Sequence, residues 1–433
     1  MFGTSGIRGI YGKEITETLA YGVAQAFARK TIVIGRDIRA SGLPLLRAIA
    51  AGARDAGKRV LNLGIAPTPA VALATREYAV RGIMITASHN PEEYNGLKLF
   101  EDGREITRAQ EREVERSMDP IPSTTPKPEK APPEDPQILG VHRQLIKNLV
   151  DGTSIAKKKP KVVVDCNGAA AVSTPYLLVD LGCRVLGVNA GLSGFNRLPE
   201  PTAKNLGKTL AIVHATNADF GVAHDGDADR AVIIDENGNM LGLDVQLALA
   251  LEQELEHAQN RRVLTTVEAS LLVRETIERL DGTYEILPVG STGLSHRLEA
   301  SGAIFAGEPC GEYIYSKGVP CPDGILVAAK FAQLFAEKGS LAALAKRFKP
   351  YPMLREKYPC KKKEEAMEKI KNEITIDGKR SEEDGLRIDE EDGWFLIRPS
   401  GTEPVMRLTI EYKDKKKLEE RANALRKLIQ HCV

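Results

Sequence analysis

Several things are missing from this sequence. Its six cysteines (Cys166, Cys183, Cys310, Cys321, Cys360 and Cys432) include no C-x-x-C pair. That speaks against a zinc site or a disulfide framework and fits a reducing compartment. No run approaches the roughly 18 apolar residues of a membrane span. The opening MFGTSGIRGIYGKE also has no basic-then-apolar leader. A cytoplasmic protein with no membrane partner is the expectation. A dominant charge is missing too. Sixty Lys+Arg against 59 Asp+Glu leave a net +1, which excludes a whole-surface footprint for nucleic acid. GxGxxG, GxxxxGK[ST] and GxSxG are all absent, so any phosphate chemistry here lacks the familiar nucleotide cradle.

What is present is a chain of 433 residues, 42% hydrophobic and 27% charged, long enough for several well-buried domains. One plan recurs. TIVI at 31–34 reads as a buried strand, followed by the loop GRDIRASG, an amphipathic run from Leu43 to Ala56, Gly57 and the strand RVLNLGI. KVVVD at 161–165 leads through CNGAAA and TPYLLVDL to CRVLGVN, and RRVLTTV leads through ASLLVRETIERL to TYEILPVG. Continuous apolar strands alternating with helices predict parallel sheets covered on both faces. The proline-rich STTPKPEKAPPEDPQ (123–137) reads as an extended connector. The last stretch has a helix, an acidic hairpin near Glu391–Gly393, the strands WFLIR and MRLTIEY, and a final basic helix. The expectation is three tandem α/β domains with mixed, mainly parallel sheets plus a C-terminal α+β domain, divided 1–135, 136–241, 242–349 and 350–433.

The chemistry sits in short motifs. RGIMITASHNPEEYNGLKLF (81–100) delivers Ser88 to the carboxyl end of a buried strand, where such folds place ligands. With His89 beside it and Lys98 further on, Ser88 suits a nucleophile or a phosphorylated serine. A capped surface turn would give the same letters. In DGDADR (225–230), Asp225, Asp227 and Asp229 alternate on a tight loop ended by Arg230, and such oxygen donors favour Mg²⁺ or Ca²⁺. An EF-hand fails because its sixth position needs Gly and holds Arg230; an acidic β-turn is the plain alternative. AGEPCGEYIY (306–315), followed by CPDG, offers Glu308, Cys310 and Glu312 to sugar hydroxyls, or else forms a solvated hairpin. RPSGTEPVMR (398–407) gives the amides and hydroxyls of Ser400, Gly401 and Thr402 between Arg398 and Arg407, a phosphate nest or a simple strand turn. FGTSGIRG with Arg8, GRDIRASG with Arg36 and Arg39, and LPVGSTG with Gly290 are further small-residue loops.

Taken in order, FGTSGIRG, TASHNP, DGDADR, GEPCGEY and RPSGTEP resemble the signature set of the α-D-phosphohexomutases across nearly the whole chain. The resemblance implies a four-domain, heart-shaped enzyme around a central cleft. It implies that Ser88 is the phosphoserine and that Asp225, Asp227 and Asp229 hold Mg²⁺ with an oxygen of that group. It further implies that Glu308, Cys310 and Glu312 form the sugar loop and that Arg398, Ser400, Gly401, Thr402 and Arg407 bind phosphate. Lys98 and Arg8 fall at acid/base or charge-stabilising positions. In that role Lys98 would exchange the hydroxyl proton with its pKa lowered by neighbouring cations. The implied reaction interconverts sugar 6- and 1-phosphates through a 1,6-bisphosphate, a small-molecule partner; a homodimer is compatible with it. Cys310 and Glu312 depart from the Ser and His of many relatives, and VGSTG departs from a VGD-type turn. These changes fall in the substrate-selecting part and bear on which sugar is bound. The GEPCG…CPDG form resembles the archaeal-type glucosamine branch of the family; that resemblance, with a carboxylate at Glu312 able to pair with a C2 ammonium, implies a hexosamine phosphate, glucosamine favoured. Mannose or glucose phosphate mutation is the alternative within the family, and a non-catalytic phosphosugar-binding protein the alternative outside it.

Overall fold

Runs such as TIVIGR and KVVVD carry no polar face, so they are stable only where both sides of a sheet are covered. In a computed structural model, which describes residues 1–3, 5–118, 130–400 and 404–433, such runs form the centres of three sheets. The first sheet comprises β1 (Ile7–Ile10), β2 (Thr31–Arg36), β3 (Arg59–Ile65), β4 (Arg81–Ile85), β5 (Tyr94–Glu101) and β6 (Arg104–Glu105), ordered β1-β5-β4-β2-β3 with β6 on β5. The second holds β7 (Lys161–Asp165), β8 (Arg184–Val188), β9 (Phe220–His224) and β10 (Ala231–Ile234), ordered β10-β9-β7-β8. The third holds β11 (Arg262–Thr266), β12 (Thr283–Leu287), β13 (Phe305–Gly307) and β14 (Tyr313–Tyr315), ordered β12-β11-β13-β14.

These three sheets share one topology. A central strand (β2, β7 or β11) lies parallel between two others. One of those neighbours then turns back into an antiparallel partner: β4 into β5, β9 into β10, and β13 into β14. Each reversal is a loop at the carboxyl end of a buried strand. The fourth sheet is antiparallel throughout, with β15 (Met353–Pro359), β16 (Lys379–Ser381), β17 (Leu386–Asp389), β18 (Gly393–Pro399) and β19 (Val405–Tyr412) ordered β15-β19-β18-β17-β16. The mixed, mainly parallel sheets and the α+β C-terminal part are those expected from the sequence. β15 is an addition to that expectation, since its alternation of half-buried and exposed residues in MLREKYP hides it as an edge strand.

The cores explain how the sheets are held. The helices Leu243–Leu255 and Gly324–Lys338 contribute to one continuous core with side chains from the second and third sheets, among them Phe220, Val222, Val263 and Phe305. The fourth sheet closes its own core against the helices Lys363–Glu373 and Lys415–Cys432. Its apolar contact with the third sheet's unit centres on Val267, Trp394 and Leu396, with Leu271, Ile286, Val289 and Met353 packed against them. After the undescribed residues 119–129, the connector runs along β3: Asn62 donates to the Pro132 carbonyl at 2.8 Å and accepts from the Asp135 amide at 2.7 Å. Among the described residues no helix is long and apolar enough to cross a membrane.

Candidate active site

The three reversal loops converge. The β4–β5 loop carries Ser88, the β9–β10 loop carries the aspartates, and the β13–β14 loop carries Glu308, Cys310 and Glu312. Ser88 sits in the left-handed region at φ 50°, with its amide donating to Thr86 Oγ1 at 2.8 Å. Its Oγ donates to Asp225 Oδ2 at 2.6 Å and lies 3.3 Å from His89 Nδ1. The Ser88 residue is almost wholly buried, so the loop is built into the molecule rather than displayed on its surface. Gly226 is required here: a Cβ on it would stand 2.7 Å from the Ser88 carbonyl oxygen.

Asp225, Asp227 and Asp229 are buried and each can present a carboxylate oxygen within 4.8 Å of the others. Lys98, brought in on β5 opposite Met84, donates to Asp227 Oδ2 at 2.8 Å and to Asp229 Oδ2 at 2.7 Å. Thr68 adds its hydroxyl to Asp227 Oδ2 at 2.5 Å and its amide to the Asp227 carbonyl at 2.9 Å. Burial raises all three carboxyls, and mutual repulsion holds Asp225 well up and Asp229 at about 6. At Asp227 burial is outweighed by the Lys98 ammonium and the hydrogen bonds it receives, and its pKa falls. The expected lowering of Lys98 by neighbouring cations is not what the structure shows. Burial pulls its ammonium down, but Asp227 and Asp229 more than offset this and the net shift is upward. Two aspartate oxygens, Asp227 Oδ1 and Asp229 Oδ1, are buried without a hydrogen-bond partner among the described residues. Such orphaned hard donors beside a serine hydroxyl fit a divalent cation of the Mg²⁺ kind.

Around this centre the charges are paired. Arg230 donates through Nε to Glu312 Oε1 at 2.8 Å, with Nη2 2.6 Å from the same oxygen, and the two residues also form a backbone bridge. This corrects the expectation that Glu312 awaits an ammonium on the sugar, because Arg230 already neutralises it. Glu308 is the contrasting carboxyl. It is buried, accepts from the Gly290 amide at 3.3 Å, and has no ion pair among the described residues. Burial, then the neighbouring Glu312 and Glu268, push it up to about 8. The hairpin is therefore not solvated. Burial, reinforced by Glu312, also raises the Cys310 thiol, keeping it neutral. Arg230, then burial and Arg8, push His89 down to about 2. Arg8, on β1, reaches the Ser88 loop through Asn90 Oδ1 at 3.5 Å.

In the fourth sheet Arg398 and Arg407 stand directly opposite each other on β18 and β19. Arg398 lies between Asp384, 3.2 Å from Nη2, and Glu268, 3.3 Å from Nη1. Asp384 in turn accepts from the Val289 amide at 3.0 Å, beside Gly290. This chain of contacts brings the fourth sheet to the loop that faces Glu308. The Ser400 amide donates to the Val405 carbonyl at 2.9 Å, whereas Gly401 and Thr402 lie outside the described residues. Arg39, grouped with the phosphate-seeking arginines on sequence, has instead every N–H committed inside the protein. Thr68 was not anticipated; the signal available for it was a Thr-Pro helix start just past a buried strand.

A serine hydroxyl pressed against a buried acidic cluster, with a lysine inserted between two of the carboxylates, is arranged to hand over a strongly anionic group. The molecule is thus of the phosphotransferring class. Comparison with known proteins narrows this. Models for phosphoglucomutase/phosphomannomutase α/β/α domains I, II and III match residues 1–124, 142–238 and 243–351, and the model for the C-terminal domain matches 353–428. The chain belongs to the phosphoglucomutase/phosphomannomutase family, whose members are phosphohexomutases. A probable phosphoglucosamine mutase of Methanosarcina barkeri is 40% identical over 429 residues, covering 96% of this chain and 95% of that protein. The phosphoglucosamine mutase of Methanocaldococcus jannaschii is 36% identical over 454 residues, covering 100% and 99%. A crystal structure of a phosphoglucomutase/phosphomannomutase family protein from Burkholderia thailandensis superposes with TM-score 0.85 at 25% identity, covering 99% of this chain and 97% of the other.

Proposed function

We propose that this enzyme interconverts glucosamine 6-phosphate and glucosamine 1-phosphate by carrying a phosphoryl group on Ser88. The observation that carries the reading is the 2.6 Å contact of Ser88 Oγ with Asp225 inside the acidic cluster. The division of labour follows the four expected domains, 1–135, 136–241, 242–349 and 350–433, each contributing one loop to the cleft. Phosphoserine 88 passes its phosphoryl group to the free sugar hydroxyl, giving a hexosamine 1,6-bisphosphate, and the regenerated Ser88 oxygen takes the other phosphoryl group back. The P–O bond to serine breaks as the P–O bond to sugar forms, and the acceptor hydroxyl's proton ends on the released Ser88 oxygen, so the transfer is proton-neutral overall. Asp225, Asp227 and Asp229 would hold Mg²⁺ with Ser88, and the bound cation would withdraw charge from phosphorus.

The protein's own groups do the rest. Lys98, held at Asp227 and Asp229, supplies positive charge beside the transferring group. Arg8 and His89 flank the serine. Arg230 holds Glu312 and thereby fixes the sugar loop to the acidic loop. Ser400, Gly401, Thr402, Arg398 and Arg407 anchor whichever phosphate is not reacting. Glu308, buried with no ion pair among the described residues, is the carboxyl suited to an amino group at C2. The names of the relatives support glucosamine, and the carboxyl's isolation supports an amine over a hydroxyl.

The test is ³¹P NMR of the enzyme with Mg²⁺ and a trace of matching bisphosphate, offered glucosamine, mannose and glucose 6-phosphates separately. Conversion of the glucosamine compound well ahead of the others is the expected result. Equal turnover of neutral sugars would remove the glucosamine assignment but keep the mechanism. No conversion of any would favour a phosphosugar-binding protein.

A further inference from the structure

We propose that Arg39 is a positioning residue for phosphoryl transfer: its guanidinium, capped by Phe195, sets where Ser88 Oγ stands relative to Asp225. The proposal rests on Ser88 being the phosphoryl carrier. Arg39 is buried at 1% exposure, and all five of its N–H donors are used. Nε donates to Asp37 Oδ2 at 3.0 Å. Nη1 donates to the carbonyls of Pro91 and Tyr94. Nη2 donates to the carbonyls of Ser88 at 3.0 Å and Asn90 at 2.7 Å. One planar side chain therefore gathers four carbonyls across the β4–β5 reversal, three in the loop and one at the first residue of β5, a task no ammonium can perform. Asp37 is locked in turn, accepting from the Arg39 amide at 2.9 Å and from Thr86 Oγ1 at 2.7 Å.

The cap comes from the loop that follows β8 of the second sheet. Phe195 places its ring 4.9 Å from the Arg39 guanidinium carbon, an attraction strengthened where water is excluded. Its loop is tied to the strands that carry the aspartates. Asn167 Oδ1, just past β7, accepts from the amides of Asn196 and Arg197 at 2.9 and 3.1 Å. The Arg197 side chain donates to Asp165 Oδ2 at 2.9 Å and to the His224 carbonyl at 2.6 Å, next to Asp225. A Cβ on Gly226 would meet both the Ser88 carbonyl and the Phe195 ring. Ser88 is thus clamped from its own sheet by Arg39 and registered against the metal-ligand loop by Phe195.

The experiment uses dephosphorylated full-length enzyme with Mg²⁺ and glucosamine 1,6-bisphosphate, following by intact mass the gain of about 80 Da at Ser88. Arg39→Lys is expected to slow this step on the order of 100-fold, and Phe195→Leu several-fold. Both effects should appear at saturating bisphosphate with the half-saturating concentration unchanged, since neither residue is placed on the sugar. Val213→Ala, a core truncation elsewhere in the second sheet's unit, should lower Tm without slowing the step. A variant rate equal to wild type, in either Arg39→Lys or Phe195→Leu, overturns the proposal. If Arg39→Lys fails to fold, Phe195→Leu decides alone. Failure of the wild type to gain phosphate overturns the reading of Ser88 and this proposal with it.

Discussion

The serine–aspartate centre and the seam with the fourth sheet are built on different terms. At the centre, Ser88, Lys98, Thr68 and the aspartates are tied across two sheets by contacts of 2.5 to 2.8 Å, all but free of solvent. At the seam, a small apolar cluster (Val267, Trp394 and Leu396, with Leu271, Ile286, Val289 and Met353 half-buried against it) is joined by polar contacts. Arg274 lies 2.6 Å from Asp389, Arg387 donates to the Val267 carbonyl, and Glu411 accepts from the Leu271 amide at 2.8 Å. The difference follows from the chemistry. The atoms that break and form P–O bonds must not move, because a small misplacement costs a large factor in rate. The anchor for the distant phosphate must let a bisphosphate turn around, and exchangeable ion pairs suit that better than a packed core.

Mutations can break this contrast in graded fashion. Ser88→Ala should cause the largest loss, on the order of 10⁴-fold in kcat, with no added phosphate mass; near-normal turnover would dismantle the assignment. Asp227→Asn comes next. It removes a ligand charge and one partner of Lys98, and should raise the Mg²⁺ needed for half-maximal activity by roughly 100-fold or more, read by metal titration. Arg407→Ala, on the seam side, should raise KM for the sugar phosphate by about tenfold while Ser88 still accepts phosphate from the bisphosphate. An equal loss in both assays would mean the two regions are not separable.

Glu308→Gln should give the smallest effect and a pH signature. The Glu308 carboxyl sits at about 8 in the folded protein against an ordinary 4.5. Folding therefore favours its proton, and wild-type stability falls as pH rises from the ordinary value through 8. The glutamine variant escapes that loss. Thermal melts should show the two alike near pH 5 and the variant clearly more stable above pH 8. Parallel curves across that range would contradict an isolated, buried carboxyl.

Much of this was legible in the sequence because the apolar runs and the reversal loops are contiguous. KVVVD, FGVAH and RVLNLGI became strands at their expected bounds, and DGDADR carries three converging carboxylates within five residues. What was not legible depends on pairing between distant segments. Arg39 and Arg398 are indistinguishable by local pattern, yet Arg39 spends four of its five N–H donors on loop carbonyls while Arg398 sits between two carboxylates. Glu312 looked available until the fold brought Arg230 to it from 82 positions away. Lys98 looked tunable downward until β5 laid it between two aspartates.

The core shared by the second and third sheets sets the molecule's units of melting. The helices between them serve both, so the acidic loop and the sugar loop cannot unfold one without the other. The fourth sheet, closed on its own interior, can open alone. A molecule caught in that partly open state keeps Ser88, Lys98 and the aspartates assembled and loses only its grip on the far phosphate. Its protected amides, followed by hydrogen exchange, would divide along that same line.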